Sequence, residues 1–148
     1  MSRVFVGYEQ FGIEGVNEEF IHFVFDVVLS LTTKKGDSEV GVALVTNEQM
    51  KKMNHRYRGK DATTNVLSFV NTEIPDLPTE EVDNYLGDIY ISYPVLDAEA
   101  DQLEISHKER FAQLLTHGLL HLVGFDHTNK SDTKEMEDLE DQIVQMAI

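Results

Sequence analysis

The chain has 148 residues, 27 acids against 12 Lys and Arg for a formal charge of -15, and no cysteine. The length suits one domain spanning 1–148. The missing cysteine excludes disulfides, thiolate metal ligands and cysteine nucleophiles, and the charge excludes a surface that attracts nucleic acid or anionic membrane on all sides. No basic, then apolar signal segment opens the chain, and no apolar run approaches the about 18 residues of a membrane span. A cytoplasmic protein with no membrane partner is therefore expected.

Taken in order, Arg3 to Tyr8 alternates as a short strand. Asn17 is placed to cap a helix, Glu18 and Glu19 suit its first turn, and Phe20, Phe23, Val24, Val27, Val28 and Leu31 supply an inward stripe. His22 falls off that stripe, on the surface. Glu39 to Thr46 is a nearly continuous small-apolar run that predicts a central strand covered on both faces. Thr46 and Gln49 form a capping box for the next helix, with Met50, Met53 and Tyr57 inward.

That helix departs from the acidic average. Lys51, Lys52, Arg56, Arg58 and Lys60 are crowded into a stretch without an acid, either a solvated face or, if it borders a reactive site, a seat for a phosphate backbone. Arg58, where helix becomes loop, can aim a forked guanidinium at a phosphate. Val66 to Val70 reads as a strand; Asn65 and Ser68 beside it are either cleft groups or satisfy backbone hydrogen bonds. Asn71 to Asn84, with two prolines and several acids, is an exposed loop, and Tyr85 to Ser92 is a strand with Ile89 and Ile91 opposite Tyr90. Asp88 either caps a turn or joins the polar cleft. Pro94 opens a short helix.

Ser106 and Glu109 cap a helix whose Phe111, Leu114, Leu115, Leu119 and Leu122 are apolar. His107 belongs to its surface. His117 and His121, four apart, project from one helical face about 5–6 Å apart at Cβ. Gly124 can end the helix in a left-handed residue and let the turn bring His127 to the same point. Three imidazoles at about 2.0–2.1 Å suit zinc, one ion per chain, and leave the fourth position for water. Asp126 either fixes the tautomer of a ligand or caps the turn. The zinc-peptidase signature carries glutamate after its first histidine; here that residue is Gly118, so the peptidase reading lacks its base. A last helix runs from Asp132, with Met136, Leu139, Ile143, Val144 and Met146 apolar.

Three blocks now stand in order: Asn54-His55-Arg56-Tyr57-Arg58-Gly59-Lys60-Asp61-Ala62-Thr63-Thr64-Asn65-Val66-Leu67-Ser68-Phe69, then Leu86-Gly87-Asp88-Ile89, then His117 through His127. Over nearly its whole length the chain resembles the YbeY family of bacterial zinc-dependent endoribonucleases. It departs from the family pattern in the first block, where Ala62, Thr63 and Thr64 stand without the usual proline; the histidine block is intact. The resemblance implies an α+β fold, a mixed four-stranded sheet flanked by helices, with a three-histidine helix-turn site like that of zinc metalloproteases. It implies His117, His121 and His127 as zinc ligands and Arg58 as the arginine of the cleft, with Lys51, Lys52, Arg56 and Lys60 available to the RNA backbone.

It also implies single-strand-specific cleavage in 16S ribosomal RNA 3′-end maturation and ribosome quality control. The partners implied are ribosomal RNA, the small ribosomal subunit, ribosomal protein S11 and the GTPase Era. The attacking group is either water or the RNA 2′-hydroxyl, with a base that includes Asp88 among its candidates. A zinc-containing ribosome assembly factor that does not cut is the alternative.

Overall fold

A computed structural model describes residues 3–7, 12–32, 37–74, 84–125 and 130–148. The strands are β1 (Arg3–Gly7), β2 (Glu39–Val45), β3 (Val66–Val70) and β4 (Tyr85–Ser92), and they lie in the order β1-β2-β4-β3. β1 and β4 run parallel to β2, whereas β3 pairs antiparallel with β4. The helices are α1 (Glu18–Ser30), α2 (Asn47–Arg58), α3 (Tyr93–Leu103), α4 (His107–Leu122) and α5 (Lys130–Ala147), and a short 3-10 turn follows β3 at Asn71–Glu73. The fold is thus the α+β architecture with a mixed sheet that the sequence leads one to expect. No helix among the described residues is long and apolar enough to cross a membrane.

Period-two alternation divides the sheet into two unlike faces. Val40, Val42 and Leu44 of β2, with Ile89 and Ile91 of β4, point into the main core and meet Ile21, Val24, Phe25 and Val28 of α1. α4 brings Phe111, Leu115, Leu119 and Leu120 to that core, and α5 closes it with Met136 and Ile143. On the other face Met50 of α2 packs on Val45, Leu67 and Phe69. α2 covers only part of that side. A hollow of about 280 Å³ opens beside it over Gly41, Ala43, Tyr85 and Tyr90. The expectation that β2 is covered on both faces is therefore corrected: no described helix closes the hollow that Gly41 and Ala43 border, and the Tyr85 hydroxyl and the Asp88 carboxylate pack over Gly41.

The helix starts follow the capping chemistry. Asn17 accepts from the Phe20 N–H at 2.8 Å, and Thr46 and Gln49 bond reciprocally. Of the expected inward stripe of α1, Val24, Val27 and Val28 are buried and Phe20 packs against the core, but its two remaining members are not buried. Phe23 is 46% and Leu31 39% exposed, while Ile21, Phe25 and Leu29 are buried. Residues 20 to 31 are apolar almost all round, so two stripes were available and tertiary packing selected one. Met146, expected inward, is 53% exposed near the chain end. α5 begins two residues before Asp132, within ordinary boundary scatter.

Leu119 lies on α4 two residues from each of His117 and His121 and is fully buried. Truncating it removes contacts on the side away from the histidines. Leu119→Ala is expected to lower unfolding free energy by about 2–5 kcal/mol in urea denaturation.

A candidate metal centre on helix α4

Helix α4 is anchored at both ends by local bonds. Ser106 accepts from the Glu109 N–H at 3.0 Å at the start. At the end the Phe125 N–H donates to the Leu120 carbonyl at 3.0 Å and the Gly124 N–H to the His121 carbonyl at 3.1 Å. This pair of bonds is the Schellman arrangement, and it requires the left-handed φ of +109° that Gly124 adopts. The turn delivers the Phe125 carbonyl to His121, whose Nδ1 lies 3.0 Å from it.

His117 is anchored from a different element. Its Nδ1 lies 2.5 Å from Glu140 Oε1 on α5. Carboxylate and carbonyl oxygens only accept, so both Nδ1 atoms donate, and in neutral rings both Nε2 atoms then present lone pairs. Those two Nε2 atoms face each other at 3.0 Å with the rings inclined at 80°. Two lone pairs cannot bond one another, but one ion at about 2.0–2.1 Å from each nitrogen spans such a gap. The donor set fits zinc: neutral imidazoles whose outer nitrogens are held by oxygen acceptors. His127, the expected third ligand, and Asp126 lie outside the described residues.

The backbone at position 118 leaves little room for a side chain after His117. A Cβ on Gly118 would stand 3.0 Å from Ile89 Cγ2 and 3.0 Å from Ser68 Oγ. A side chain there would require Ile89 and Ser68 to give by a few tenths of an ångström, and Ser68 Oγ reaches the Gly118 carbonyl at 3.5 Å.

Arg58 joins the histidines. A cleft of about 560 Å³ is lined by Arg58, Ser68, Glu73, His117, His121 and Phe125. The guanidinium donates to Glu73 Oε2 at 2.6 Å and to the Ser68 carbonyl at 2.7 Å, and stacks 4.7 Å above the Phe69 ring. These contacts fix its direction while two of its five donors are spent. The hydrogen bond from Arg58 holds the Glu73 carboxyl below its ordinary range; partial burial opposes this, and the Val70 N–H assists.

The other expected site residues distribute differently. Ser68 is in the cleft, and Asn65 lies beside it, donating to Glu99 at 3.3 Å. Asp88 is on the opposite face of the sheet. It accepts from the Tyr85 hydroxyl in a very short bond and from the Tyr90 hydroxyl at 3.5 Å. Burial, reinforced by Asp88, pushes both phenols up from their ordinary range. Asp88 is therefore removed from the list of bases for this cleft, because strand alternation turns it away from Ile89, which meets Gly118. Lys52 and Arg56 line the hollow under α2 with Asp88, and Lys52 pairs with Glu48 at 3.5 Å. Lys51 pairs with Asp61 at 3.9 Å, and Lys60 is exposed. Of the basic stretch, Arg58 is the member that lines the histidine cleft.

A second group of possible ligands stands apart from the pair. Asp97 and Asp101 of α3 and His107 of α4 offer ligand atoms all within 4.8 Å of one another, so they could hold a metal ion. His107 is on the surface, as its sequence position implies, and its Nε2 lies 2.7 Å from Asp97. The carboxylate that orients His117 was missed in the sequence. Glu140 falls four after Met136 and three before Ile143, and an acid on an otherwise buried helical stripe was the available signal.

Fold and site together define an α+β protein in which two helix-borne imidazoles are oriented as metal ligands beside a braced arginine. Residues 9–147 match the family described as "Endoribonuclease YbeY". An endoribonuclease YbeY of Sulfurihydrogenibium is 35% identical over 96% of this chain and 90% of its own, and one of Acinetobacter baylyi is 45% identical over 74% and 70%. The solution structure of TM1509 from Thermotoga maritima superimposes with a TM-score of 0.61 at 27% identity, covering 99% of this chain and 89% of that one. The chain belongs to the YbeY family.

Two outcomes check this geometry. Glu140→Gln keeps the shape but lets the side chain donate as well as accept, so zinc affinity should fall about 10- to 100-fold in competition with a chromogenic chelator. A folded carboxyl pKa held low adds stability above its unfolded value and loses it as pH falls through the folded one. In Arg58→Ala the NMR-monitored midpoint of Glu73 should therefore move up, and the acid limb of the stability profile near it should flatten.

Proposed function

We propose that the chain is a zinc-dependent, single-strand-specific endoribonuclease. The observation that carries this reading is the presence of Arg58 in the same cleft as His117 and His121, and membership of a family whose relatives are named endoribonucleases supports its coarser part. Zinc at the imidazole pair would supply a Lewis acid for a phosphoryl oxygen and acidify a water molecule. The Arg58 guanidinium, already held by Glu73 and the Ser68 carbonyl, offers its remaining donors to the phosphate without reorganising. Charge building on the equatorial oxygens is then met by a preset cation. His127 completes the ligand set in this reading. A flexible unpaired strand can bend its backbone into a recess between β3 and the Gly124 turn, which a stiff duplex enters poorly.

The setting we propose is cytoplasmic maturation of the 16S ribosomal RNA 3′ end and ribosome quality control. The small subunit, ribosomal protein S11 and Era are the proposed partners, and a formal charge of -15 suits contact with basic ribosomal proteins. The engagement of Arg58 by Glu73 favours one other reading, a zinc-containing assembly factor that binds without cutting.

A single assay separates the two. Zinc-loaded protein should cut single-stranded precursor RNA and leave a peptide pool intact, His117→Ala should abolish cutting, and Arg58→Ala should lower kcat/KM about 10²- to 10³-fold. Ribosome binding without cuts identifies the assembly factor. Cutting by Arg58→Ala at the wild-type rate excludes the role given to the guanidinium.

A further inference from the structure

A second hollow, of about 300 Å³, adjoins the cleft on the other side of His117 and Val66, which line both. Its polar lining comes from Asn65, Arg110, Gln113, Glu140 and Asp141. Val66, Leu114 and Val144 give it apolar walls. The volume is at the small end of ligand sites, and the lining is more polar than is usual for them, so hydrogen bonding decides what fits.

Charged neighbours set the direction of both amides. Glu99 can only accept, so Asn65 turns its Nδ2 to that carboxylate, at 3.3 Å from each oxygen, and keeps its carbonyl oxygen for a ligand. Arg110 can only donate. Its NH1 takes the Gln113 carbonyl at 2.7 Å, which leaves the Gln113 NH₂ as a donor. Arg110 also places Nε and NH2 on Glu99 at 3.2 and 3.0 Å, so its charge is matched before any ligand arrives. Glu140 and Asp141 add two carboxylates, one of them engaged with His117.

The balance of this lining excludes a phosphate. Beyond the matched Arg110–Glu99 pair it carries two further carboxylates, Glu140 and Asp141, and no further Lys or Arg, so it repels anions. It suits a flat uncharged ring with hydrogen-bond donors on its edge. We propose that this hollow is a nucleobase subsite for the nucleotide flanking the scissile phosphate, and that it selects bases bearing an exocyclic amino group over uracil. The proposal rests on the endoribonuclease reading of the cleft next to it. An amino group of adenine, cytosine or guanine donates to the Asp141 carboxylate and the Asn65 carbonyl, while Gln113 donates to a ring nitrogen or carbonyl acceptor. Uracil has its N3–H between two carbonyls, and where the other bases carry the exocyclic amino group it presents an oxygen that the carboxylate repels. A phosphate on the Arg58 side and a base on the Asp141 side would straddle His117 and fix the strand's register.

The test compares short adenylate, cytidylate and uridylate oligonucleotides with phosphorothioate linkages. Their binding to the zinc-loaded full chain is followed by fluorescence anisotropy, with cutting of the unmodified oligonucleotides scored in parallel. Adenylate and cytidylate should bind about tenfold more tightly than uridylate, the worth of a hydrogen bond to a charged acceptor. Asp141→Asn, an exposed change that adds a donor, should erase that preference without changing zinc affinity. Asn65→Ala should reduce it. Equal affinity for all three in the wild type, or an unchanged preference in both variants, overturns the subsite. A base preference that collapses in Asp141→Asn, found without cutting of any oligonucleotide, upholds the subsite and rejects the nuclease reading instead.

Discussion

The hydrogen bond between the His121 Nδ1–H and the Phe125 carbonyl depends on a single backbone angle. At Gly124 the chain takes a φ of +109°, the Phe125 and Gly124 N–H groups close back on α4, and the carbonyl that follows is delivered to the ring. The same two bonds that end the helix thus set the tautomer of a ligand within it. A side chain at 124 would strain this conformation by about 1–2 kcal/mol. The consequence would reach past stability, because the orientation of His121 would become one of several.

The second imidazole is governed by tertiary packing. Glu140 reaches His117 only because α5 lies on α4 with Met136 and Ile143 in the core. Formation of the core and orientation of the pair are consequently one event. The sheet supplies the remaining constraint from beneath: Ile89 and Ser68 approach Gly118 closely enough that a side chain there would have to displace them. Gly118 stands where zinc peptidases hold a base, and the cleft has in its place the Arg58 guanidinium, braced by Glu73 and stacked on Phe69. Phosphate chemistry follows from that substitution of charge more naturally than peptide hydrolysis does.

Much of this was legible in the chain because it is local. The caps at Asn17, Thr46 and Ser106, the strand at Val66–Val70 and the His117–His121 spacing depend on neighbours within a few residues, so pattern and structure agree. Long-range selection was not legible. Nothing near Phe23 announces that α1 buries Ile21 and Phe25 instead, since both stripes are apolar. Asp88 sits beside a strand residue that meets α4, and only the sheet's alternation sends its carboxylate to Tyr85 and Tyr90 on the far face. The basic run around α2 looked like one surface in sequence, yet the helix turns Lys52 and Arg56 to one side and Arg58 to another. Glu140 is 23 residues from His117, and no spacing rule joins them.

The α4 imidazole pair and the Asp97, Asp101 and His107 group near the other end of the same helix compete for the metal, and the pair is the site proposed to bind it. Zinc K-edge X-ray absorption on protein loaded with one equivalent tests that assignment most directly. Imidazole nitrogen scattering at about 2.0–2.1 Å should be weakened in His121→Ala and unchanged in His107→Ala. A spectrum altered by His107→Ala and indifferent to His121→Ala would contradict it.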